Sequence, residues 1–483
     1  MTKAIMIQGA GSNVGKSMLV AGLARACRNR GLSVAPFKPQ NMSNNAAVTI
    51  DGGEIGRAQA LQARAAGLEP RIDMNPVLLK PESDVGAQVI LRGKRYATLK
   101  ARDYGQQKHR LMPQVLESFH SLAKDHDLIF IEGAGSPAEI NLRRGDIANM
   151  GFAEAANIPV VLVGDIDRGG VIAQIVGTKA VLPPEDMKRI KAFIINKFRG
   201  DPSLFSEGLD EIVSRTNWAS LGVVPWFEHS WRLPAEDILD IASRDGGAIK
   251  ISVLRLNRIA NFDDLDPLMN EPNVTVDLIN PRQAIPGDTT LVLIPGSKST
   301  IADLSALRDN GWDIDLQAHV RRGGHVMGIC GGYQMLGQDI YDPDGIEGPI
   351  PHIKGLGFLD VTTVMKPEKR LAIEQASYLP TGDAVSGYEI HVGETTGPDC
   401  ARAWLDVAGR GEGASSANGR VRGSYLHGLF ASDGFRNTIL TELGTTSSVN
   451  FDDKIEETLD ALAGFLEIHL DVDQLINLAG DVT

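Results

Sequence analysis

The chain contains few cysteines, few aromatic residues and no long apolar runs. Three cysteines occur in 483 residues, and aromatic side chains make up 5% of the chain. No C-x-x-C spacing occurs, which argues against a disulfide framework or a zinc ribbon and favours a reducing compartment. No segment approaches the roughly 18 unbroken apolar residues of a membrane helix, and the N-terminus lacks a signal-peptide pattern. We therefore expect a cytoplasmic protein that does not enter a membrane.

Positive charge is also scarce, with 48 Lys and Arg against 61 Asp and Glu and a net charge of -13. Proteins that bind nucleic acid without sequence preference use Lys and Arg to neutralise phosphates, so nucleic acid is not an expected partner. Small-molecule substrates fit this composition better. The length exceeds that of one ordinary core and predicts two or three domains.

Short apolar strands alternate with helices along the first half of the chain. The runs are KAIMIQG, LSVAPFK, DLIFIEGAG, IPVVLVGD, IKAFIINKF and SLGVVPW. Strands that are apolar almost throughout form parallel sheets covered by helices on both faces. Residues 1–240 are therefore predicted to form one doubly wound α/β domain.

A second set of strand-like runs begins after a polar, Gly-rich stretch near Gly246 and Gly247. The runs are IKISVLRL, VTVDLIN, TLVLIPGS, GGHVMGICGG and GSYLHGLF. They predict a second doubly wound α/β domain over residues 249–445. Residues 446–483 have apolar residues at helical spacing, and we expect one or two helices there, packed on the second domain.

The stretch QGAGSNVGKS follows the first strand and opens a helix. In that context backbone N–H groups face phosphates, Lys16 adds a positive charge and Ser17 can hold Mg²⁺. The common motif has a glycine at the position of Ala10. In this chain the glycine lies one residue earlier, at Gly9. The alternative is a Gly-rich turn that binds nothing. The predicted ATP-binding residues of the loop are Gly9, Gly11, Ser12, Gly15, Lys16 and Ser17.

A catalytic nucleotide site also needs a carboxylate for its metal. Glu132 ends an apolar strand and, together with the loop, is a candidate Mg²⁺ ligand. Ligands of open α/β sheets gather at the carboxyl ends of strands, which also favours Asp165 and Asn196. Further acidic candidates lie in turn-like positions: Asp51, Asp146 and Asp167. Turn chemistry alone is the competing explanation for these Asp and Asn residues.

A candidate nucleophile, Cys330, lies between Gly328 and Gly331 after an apolar strand and before a helix. This pattern predicts an elbow that exposes the side chain, and the helix N-terminus favours the reactive thiolate. The alternative is a buried, inert cysteine. A thiol nucleophile needs a base, and His427, which follows a strand-like run and is bracketed by glycines, is the candidate. A core histidine is the competing interpretation.

The loop spacing resembles the dethiobiotin synthetase-like P-loop enzymes, which activate carboxylate or amine substrates with ATP. FIEGAG, NKFRGD and LGVVPW follow in the order which that family shows. The resemblance implies that Glu132 and Asp51 join Ser17 around Mg²⁺, and that Asn196 lies near the adenine.

The thiol elbow and the late histidine resemble the class I glutamine amidotransferase domain, in which a glutamyl thioester forms and ammonia is released. One departure is Leu429, which stands where that class carries a Glu two residues after the histidine. The residue that orients His427 is therefore unassigned, with Glu389 as a candidate. The variant without this Glu is characteristic of the cobyric and cobyrinic acid amidotransferases. The resemblance implies an oxyanion hole at these residues: Gly296, Ser297 and Gly331.

The stretches FKPQNMSNNAAVTIDGGEIGRAQALQARAA, MNPVLLKPESDVGAQVILRGK and IEGAGSPAEINLR resemble the cobyric acid synthase family over essentially the whole chain. That family amidates the b, d, e and g carboxylates of adenosylcobyrinic acid a,c-diamide, a corrinoid, with ATP and glutamine. Within EIGRAQ, Glu54 and Arg57 are expected on one helical face, with Gln59 nearby. The substrate candidates are Asn41, Ser43, Asn44, Glu54, Arg57, Gln59 and Asp146.

Two other functions compete with this interpretation. A cobyrinic acid a,c-diamide synthase shares both domains and the same chemistry. A partitioning-type P-loop ATPase would act as a switch, but Gly11 stands where those proteins carry a signature Lys, and a switch has no use for Cys330 and His427. The oligomeric state and the order of the amidations are not predicted.

Overall fold

The computed structural model describes residues 1–82, 86–234 and 247–482, which form two compact units. The first unit comprises Met1–Ser43, Thr49–Glu236 and Ile455–Thr483, and the second comprises Asn44–Val48 and Asp237–Lys454. Gly246, at the predicted boundary, lies outside the described residues. Within the described ranges, no helix has both the length and the apolar character needed to cross a membrane.

The N-terminal half supplies most of the first unit. Its strands are β1 (Lys3–Gly9), β2 (Val34–Phe37), β3 (Gln40–Met42), β4 (Ala46–Val48), β5 (Glu54–Gly56), β6 (Val77–Pro81), β7 (Gly86–Leu91), β8 (Lys94–Lys100), β9 (Leu128–Glu132), β10 (Val160–Asp165), β11 (Ile190–Phe198) and β12 (Ala219–Pro225). Its helices are α1 (Lys16–Asn29), α2 (Arg57–Ala66), α3 (Ala101–Gln107), α4 (Met112–Ala123), α5 (Met150–Ala155), α6 (Val171–Val181), α7 (Pro184–Met187) and α8 (Ser206–Thr216).

The C-terminal half supplies most of the second unit and the end of the first. Its strands are β13 (Ile249–Leu254), β14 (Val274–Ile279), β15 (Leu291–Ile294), β16 (His325–Ile329), β17 (Asp339–Tyr341), β18 (His352–Lys354), β19 (Thr362–Tyr378), β20 (Asp383–Thr396), β21 (Leu405–Val407), β22 (Arg410–Glu412), β23 (Ala414–Ser415), β24 (Val421–Ser424), β25 (Leu426–His427) and β26 (Gly480–Asp481). Its helices are α9 (Asp266–Met269), α10 (Thr300–Asp309), α11 (Trp312–Arg321), α12 (Gly331–Leu336), α13 (Asp433–Glu442), α14 (Phe451–His469) and α15 (Val472–Leu478).

The main sheet of the first unit is parallel, in the order β12-β11-β10-β1-β9-β2, with the short β26 antiparallel to β1. All six predicted strands of this half are confirmed. Their apolar runs are buried along almost their whole length because helices cover the sheet. Parallel pairing brings the carboxyl ends of β1, β9, β10 and β11 to one edge, where the candidate ligands lie. A second sheet, β3-β6-β7-β8, is mainly antiparallel.

The second unit contains a sheet in the order β14-β13-β15-β16-β24-β23. Its first five strands are parallel. Four of them carry predicted runs, and the fifth run, GSYLHGLF, begins in β24 and continues into β25. A further sheet is built on the long antiparallel pair β19 and β20, and β25 pairs with β20. In that last pairing Tyr388 lies opposite His427.

The prediction that the C-terminal helices pack on the second domain is wrong. From Ile455 onward the chain belongs to the first unit. A Cβ on Gly22 of α1 would lie 2.8 Å from Leu462 Cγ, and Arg64 forms a 2.7 Å ion pair with Glu456. The apolar period of α14 showed that one face is buried, but not which surface covers it.

Candidate active sites

Close packing within the phosphate loop explains why the loop has a glycine at position 9. A Cβ at that position would lie 2.6 Å from Gly11 O and 3.1 Å from Lys16 Nζ. The backbone carbonyl of Gly11 leaves no room for a Cβ here, so the loop needs glycine at this position, and the Lys16 ammonium lies close beside it. Gly15 has φ +91° and caps α1 in the left-handed region, which costs a glycine little. Ser12 is exposed at the tip, with Gly11 partly exposed beside it.

Two side chains from the end of β11 hold the carbonyl groups of this loop. Asn196, which is 1% exposed, donates to Val14 O at 2.8 Å, and the Lys197 ammonium donates to Asn13 O and, at 3.2 Å, to the Asp165 carboxylate. With these carbonyls turned away, the loop N–H groups are left to face an anion. Contact of Asn196 with adenine stays a prediction.

The Glu132 carboxylate is the centre of a buried polar cluster. It accepts hydrogen bonds from Ser17 Oγ at 2.9 Å and Lys38 Nζ at 2.8 Å, and from the amides of Gln59 at 3.3 Å and Gln62 at 2.6 Å. Both Glu132 and Lys38 are buried, at 1% and 4% exposure. Lys38 and Gln62 are not among the predicted site residues, although Lys38 directly follows β2 at the same sheet edge.

Ser17 and Glu132 supply the oxygen ligands that Mg²⁺ prefers. In the described part of the chain, no three His, Cys, Asp or Glu side chains form a metal cluster. Asp51 does not join the pair: its exposed side chain accepts the Ile72 N–H at 3.2 Å, because this turn is on the surface.

Part of the predicted substrate set is brought together in the first unit. Asn41 donates to Gln59 Oε1 at 2.8 Å, which links Asn41 to the Glu132 cluster. The expectation that Glu54 and Arg57 share a helical face is wrong, because Glu54 lies in β5 and the helix begins at Arg57. Glu54 instead forms a buried 2.8 Å ion pair with Lys80.

The other acidic and amide candidates have structural partners of their own. Asp146 accepts backbone N–H groups of the following turn, including that of Gly151 at 2.8 Å. Asp167 is paired with Arg199, which lowers the pKa of its carboxyl. Ser43 donates its N–H to Leu79 O in the first unit, whereas Asn44 belongs to the second unit.

Cys330 forms the elbow that its flanking glycines predict. It has φ +53° and follows β16 directly, and α12 begins at the next residue. A Cβ on Gly332 would lie 2.0 Å from Ile294 O, so the elbow needs glycine to pack against β15. Cys330 is nevertheless buried, at 7% exposure, so the prediction that the elbow exposes its side chain is wrong. A strained, tightly packed turn of this kind fixes the direction of the thiol.

His427 is held by Asp264, in the turn Phe262–Leu265. One Asp264 oxygen lies 2.7 Å from His427 Nδ1, and the other accepts the Gly428 N–H at 2.6 Å. Tyr388 stacks on the imidazole at 5.2 Å and 14°. Burial lowers the pKa of His427, but the Asp264 carboxylate and the hydrogen-bonded Cys330 outweigh it and raise the pKa to about 10.

Glu389 does not orient His427. Side chains alternate along a strand, and because Tyr388 is the residue opposite His427, its neighbour Glu389 points to the other face. There Glu389 forms ion pairs with Arg370 and Arg410. Asp264 was missed because it is one of several Asp residues in NFDDLDP, 163 positions before its partner.

The predicted oxyanion residues lie beside the elbow. A Cβ on Gly331 would lie 2.9 Å from Ser297 N, and one on Gly296 would lie 2.9 Å from His427 Cε1. Neither the Ser297 nor the Gly331 N–H has an acceptor among the described residues. Two neighbouring N–H groups without acceptors are what stabilises a developing oxyanion.

Comparison with known proteins gives a family match for each half of the chain. Residues 5–241 match the family model of the CobQ/CobB/MinD/ParA nucleotide binding domain, and residues 250–435 match the CobB/CobQ-like glutamine amidotransferase domain. These two matches bear out two α/β domains, the first with a phosphate loop.

Curated relatives match along the whole chain. A cobyric acid synthase of Ruegeria sp. (strain TM1040) is 67% identical over 98% of both chains. One of Jannaschia sp. (strain CCS1) is 61% identical over 99% of this chain and 100% of its own. The chain therefore belongs to the cobyric acid synthase family of glutamine-dependent ligases, and its function is an amidation in cobalamin biosynthesis.

Proposed function

We propose that the protein converts adenosylcobyrinic acid a,c-diamide to adenosylcobyric acid by amidating the b, d, e and g carboxylates. ATP phosphorylates each carboxylate, and ammonia from glutamine displaces the phosphate. The observation that carries the proposal is the presence in one chain of a phosphate loop with a buried carboxylate and of a thiol elbow with a carboxylate-held histidine.

In the glutamine half-reaction, the Cys330 sulfur attacks the glutamine side-chain carbonyl. His427 holds the proton that the thiol gives up and passes it to the departing ammonia. The Ser297 and Gly331 N–H groups would stabilise the oxyanion. Water then hydrolyses the thioester and releases glutamate. Asp264 keeps Nδ1 of His427 engaged, so the other ring nitrogen is the one that handles the proton.

In the ATP half-reaction, the loop N–H groups and Lys16 bind the phosphates. Ser17 and Glu132 would hold Mg²⁺, which would neutralise phosphate charge when bound. Lys38 lies against Glu132 and offers a second cation at the same place. The acceptor carboxylate must approach this cluster, and Asn41 and Gln59 are the nearest predicted substrate residues.

Mass spectrometry of the products from ATP, Mg²⁺, glutamine and the a,c-diamide tests the proposal. Four successive carboxyl-to-amide mass steps are expected, and an unchanged mass would overturn it. Cobyrinic acid serves as the control acceptor, because a preference for it, with two steps, would identify an a,c-diamide synthase instead.

A further inference from the structure

A strongly basic segment stands out in this acidic protein. Residues 92–110 contain seven Lys or Arg and one acidic residue, whereas the whole chain has a net charge of -13. The segment comprises β8, α3 and the turn Lys108–Leu111. We call six of its side chains the basic surface: Lys94, Arg95, Lys100, Arg102, Lys108 and Arg110. Five of them are exposed and Lys108 is partly exposed.

Among the described residues, no carboxylate pairs with a side chain of the basic surface. Arg92, which is not part of it, pairs with Glu117 and Asp73. Arg95 contacts Thr98 Oγ1 at 3.3 Å. In the described residues none of the six forms an ion pair. An ordinary solvated face mixes both signs of charge, so seven cations against one carboxylate favour an anionic ligand here.

The segment packs against two stretches that carry predicted substrate residues. Tyr104 donates to Gln40 Oε1 at 2.5 Å, one residue before Asn41. A Cβ on Gly145, one residue before Asp146, would lie 3.4 Å from His109 Cβ. Burial, followed by the Asp146 carboxylate, raises the pKa of Tyr104. The segment that carries the basic surface therefore contacts the stretches of Asn41 and Asp146, two of the predicted substrate residues.

Exposed apolar side chains lie on the loop that leads to Gly145. Ile140 and Leu142 are 48% and 58% exposed. A corrinoid acceptor has an apolar macrocycle with carboxylates on its rim. The region thus offers apolar contact for the ring and cations for the rim.

We propose that the basic surface binds the acceptor through its unamidated carboxylates. This inference rests on the proposed function, because it takes the a,c-diamide as the acceptor. Each amidation removes one negative charge, so the attraction weakens step by step. The surface holds the diamide more tightly than the finished product, and the reaction itself thereby promotes product release.

The test measures the Kd of the diamide by equilibrium dialysis for a triple variant and a matched control. The bound corrinoid is quantified by its absorbance, and ATP and glutamine are left out so that no turnover occurs. The variant is Lys100→Gln, Arg102→Gln and Arg110→Gln. The control, Lys188→Gln, Arg189→Gln and Lys191→Gln, removes three cations around the start of β11, at the opposite end of the strands. We expect the Kd of the diamide to rise about tenfold in the variant. The Kd of the product of the four amidations should change less than about twofold, and the control should resemble the wild type.

Binding without turnover separates this inference from the proposed function. An unchanged diamide Kd, or equal weakening for diamide and product, overturns the basic surface alone. A selective loss of diamide binding in an enzyme that does not amidate it overturns only the proposed function. If the wild-type protein does not bind the diamide, both are wrong. Wild-type diamide binding should also weaken with salt more steeply than product binding.

Discussion

Each of the two sites is organised around a buried carboxylate, and the two carboxylates are held in different ways. Glu132 receives four side-chain donors, from a serine, a lysine and two glutamines. Asp264 receives one imidazole and one backbone N–H. All four donors to Glu132 are side chains, which can change rotamer and give way to a metal and phosphates. The partners of Asp264 are fixed, so that carboxylate sets one ring in one orientation.

Removing the nucleophile should have the largest effect, and it should abolish the glutamine reaction while leaving the ATP-dependent reaction intact. Cys330→Ala is expected to reduce glutamine-dependent amidation by at least about 10⁴-fold. Amidation with ammonium salts should persist, because the ATP site is intact. Amide formation with each nitrogen source is the measurement. Cys400→Ala is the control, since that thiol is only partly buried and lies 3.8 Å from Tyr333 Oη. Equal loss with both nitrogen sources would contradict the separation.

Asp264→Asn should lower glutaminase activity by about 10²–10⁴-fold, because the amide cannot stabilise the protonated ring. In the wild-type protein, His427 keeps its proton until the pH rises through about 10. Without the carboxylate its pKa falls, so the alkaline limb of the pH profile, where the acid is lost, should move to lower pH.

Glu389→Gln is the matched control for this experiment, because Glu389 points away from His427. Its profile should keep the wild-type alkaline limb. A shift with Glu389→Gln but not with Asp264→Asn would reverse the assignment.

Glu132→Gln should reduce amidation by about 10²-fold with either nitrogen source and raise the Mg²⁺ concentration needed. This loss of activity is smaller than that expected for Cys330→Ala, because Ser17 and the phosphates still offer oxygen ligands to the metal. Glutamine hydrolysis without acceptor should be unchanged. Glu185→Gln, an exposed residue paired with Lys188, is the control. A glutaminase defect in Glu132→Gln would show that the two carboxylates are not independent.

Leu462→Ala should leave the chemistry of both sites intact and destabilise the first unit by about 3 kcal/mol, because it opens a cavity. Leu462 is 1% exposed and packs at Gly22. Thermal inactivation of ATP-dependent amidation should occur earlier than that of glutamine hydrolysis. Ile468→Ala, on the same helix but 78% exposed, should change neither. If glutaminase activity were lost first, α14 would pack on the second unit instead.

Features that depend on neighbouring residues could be predicted from the sequence. The strand before Gly9, the left-handed Gly15 and the helix that follows are local, as are the glycines that shape the Cys330 elbow. Features that depend on distant partners could not. Asp264 meets His427 through tertiary packing, and Lys38 meets Glu132 only because β2 lies beside β9. The period of α14 likewise carries no information about the surface that covers it.

Residues Asn44–Val48 belong to the second unit, although the chain on both sides of them belongs to the first, and the segment from Ile455 returns to the first. The chain therefore passes between the units four times. No single cut can yield two complete fragments, because any division leaves part of one unit attached to the other. The amidotransferase half is thus not an exchangeable cassette, and a split version of this enzyme would need a redesigned connection at each crossing.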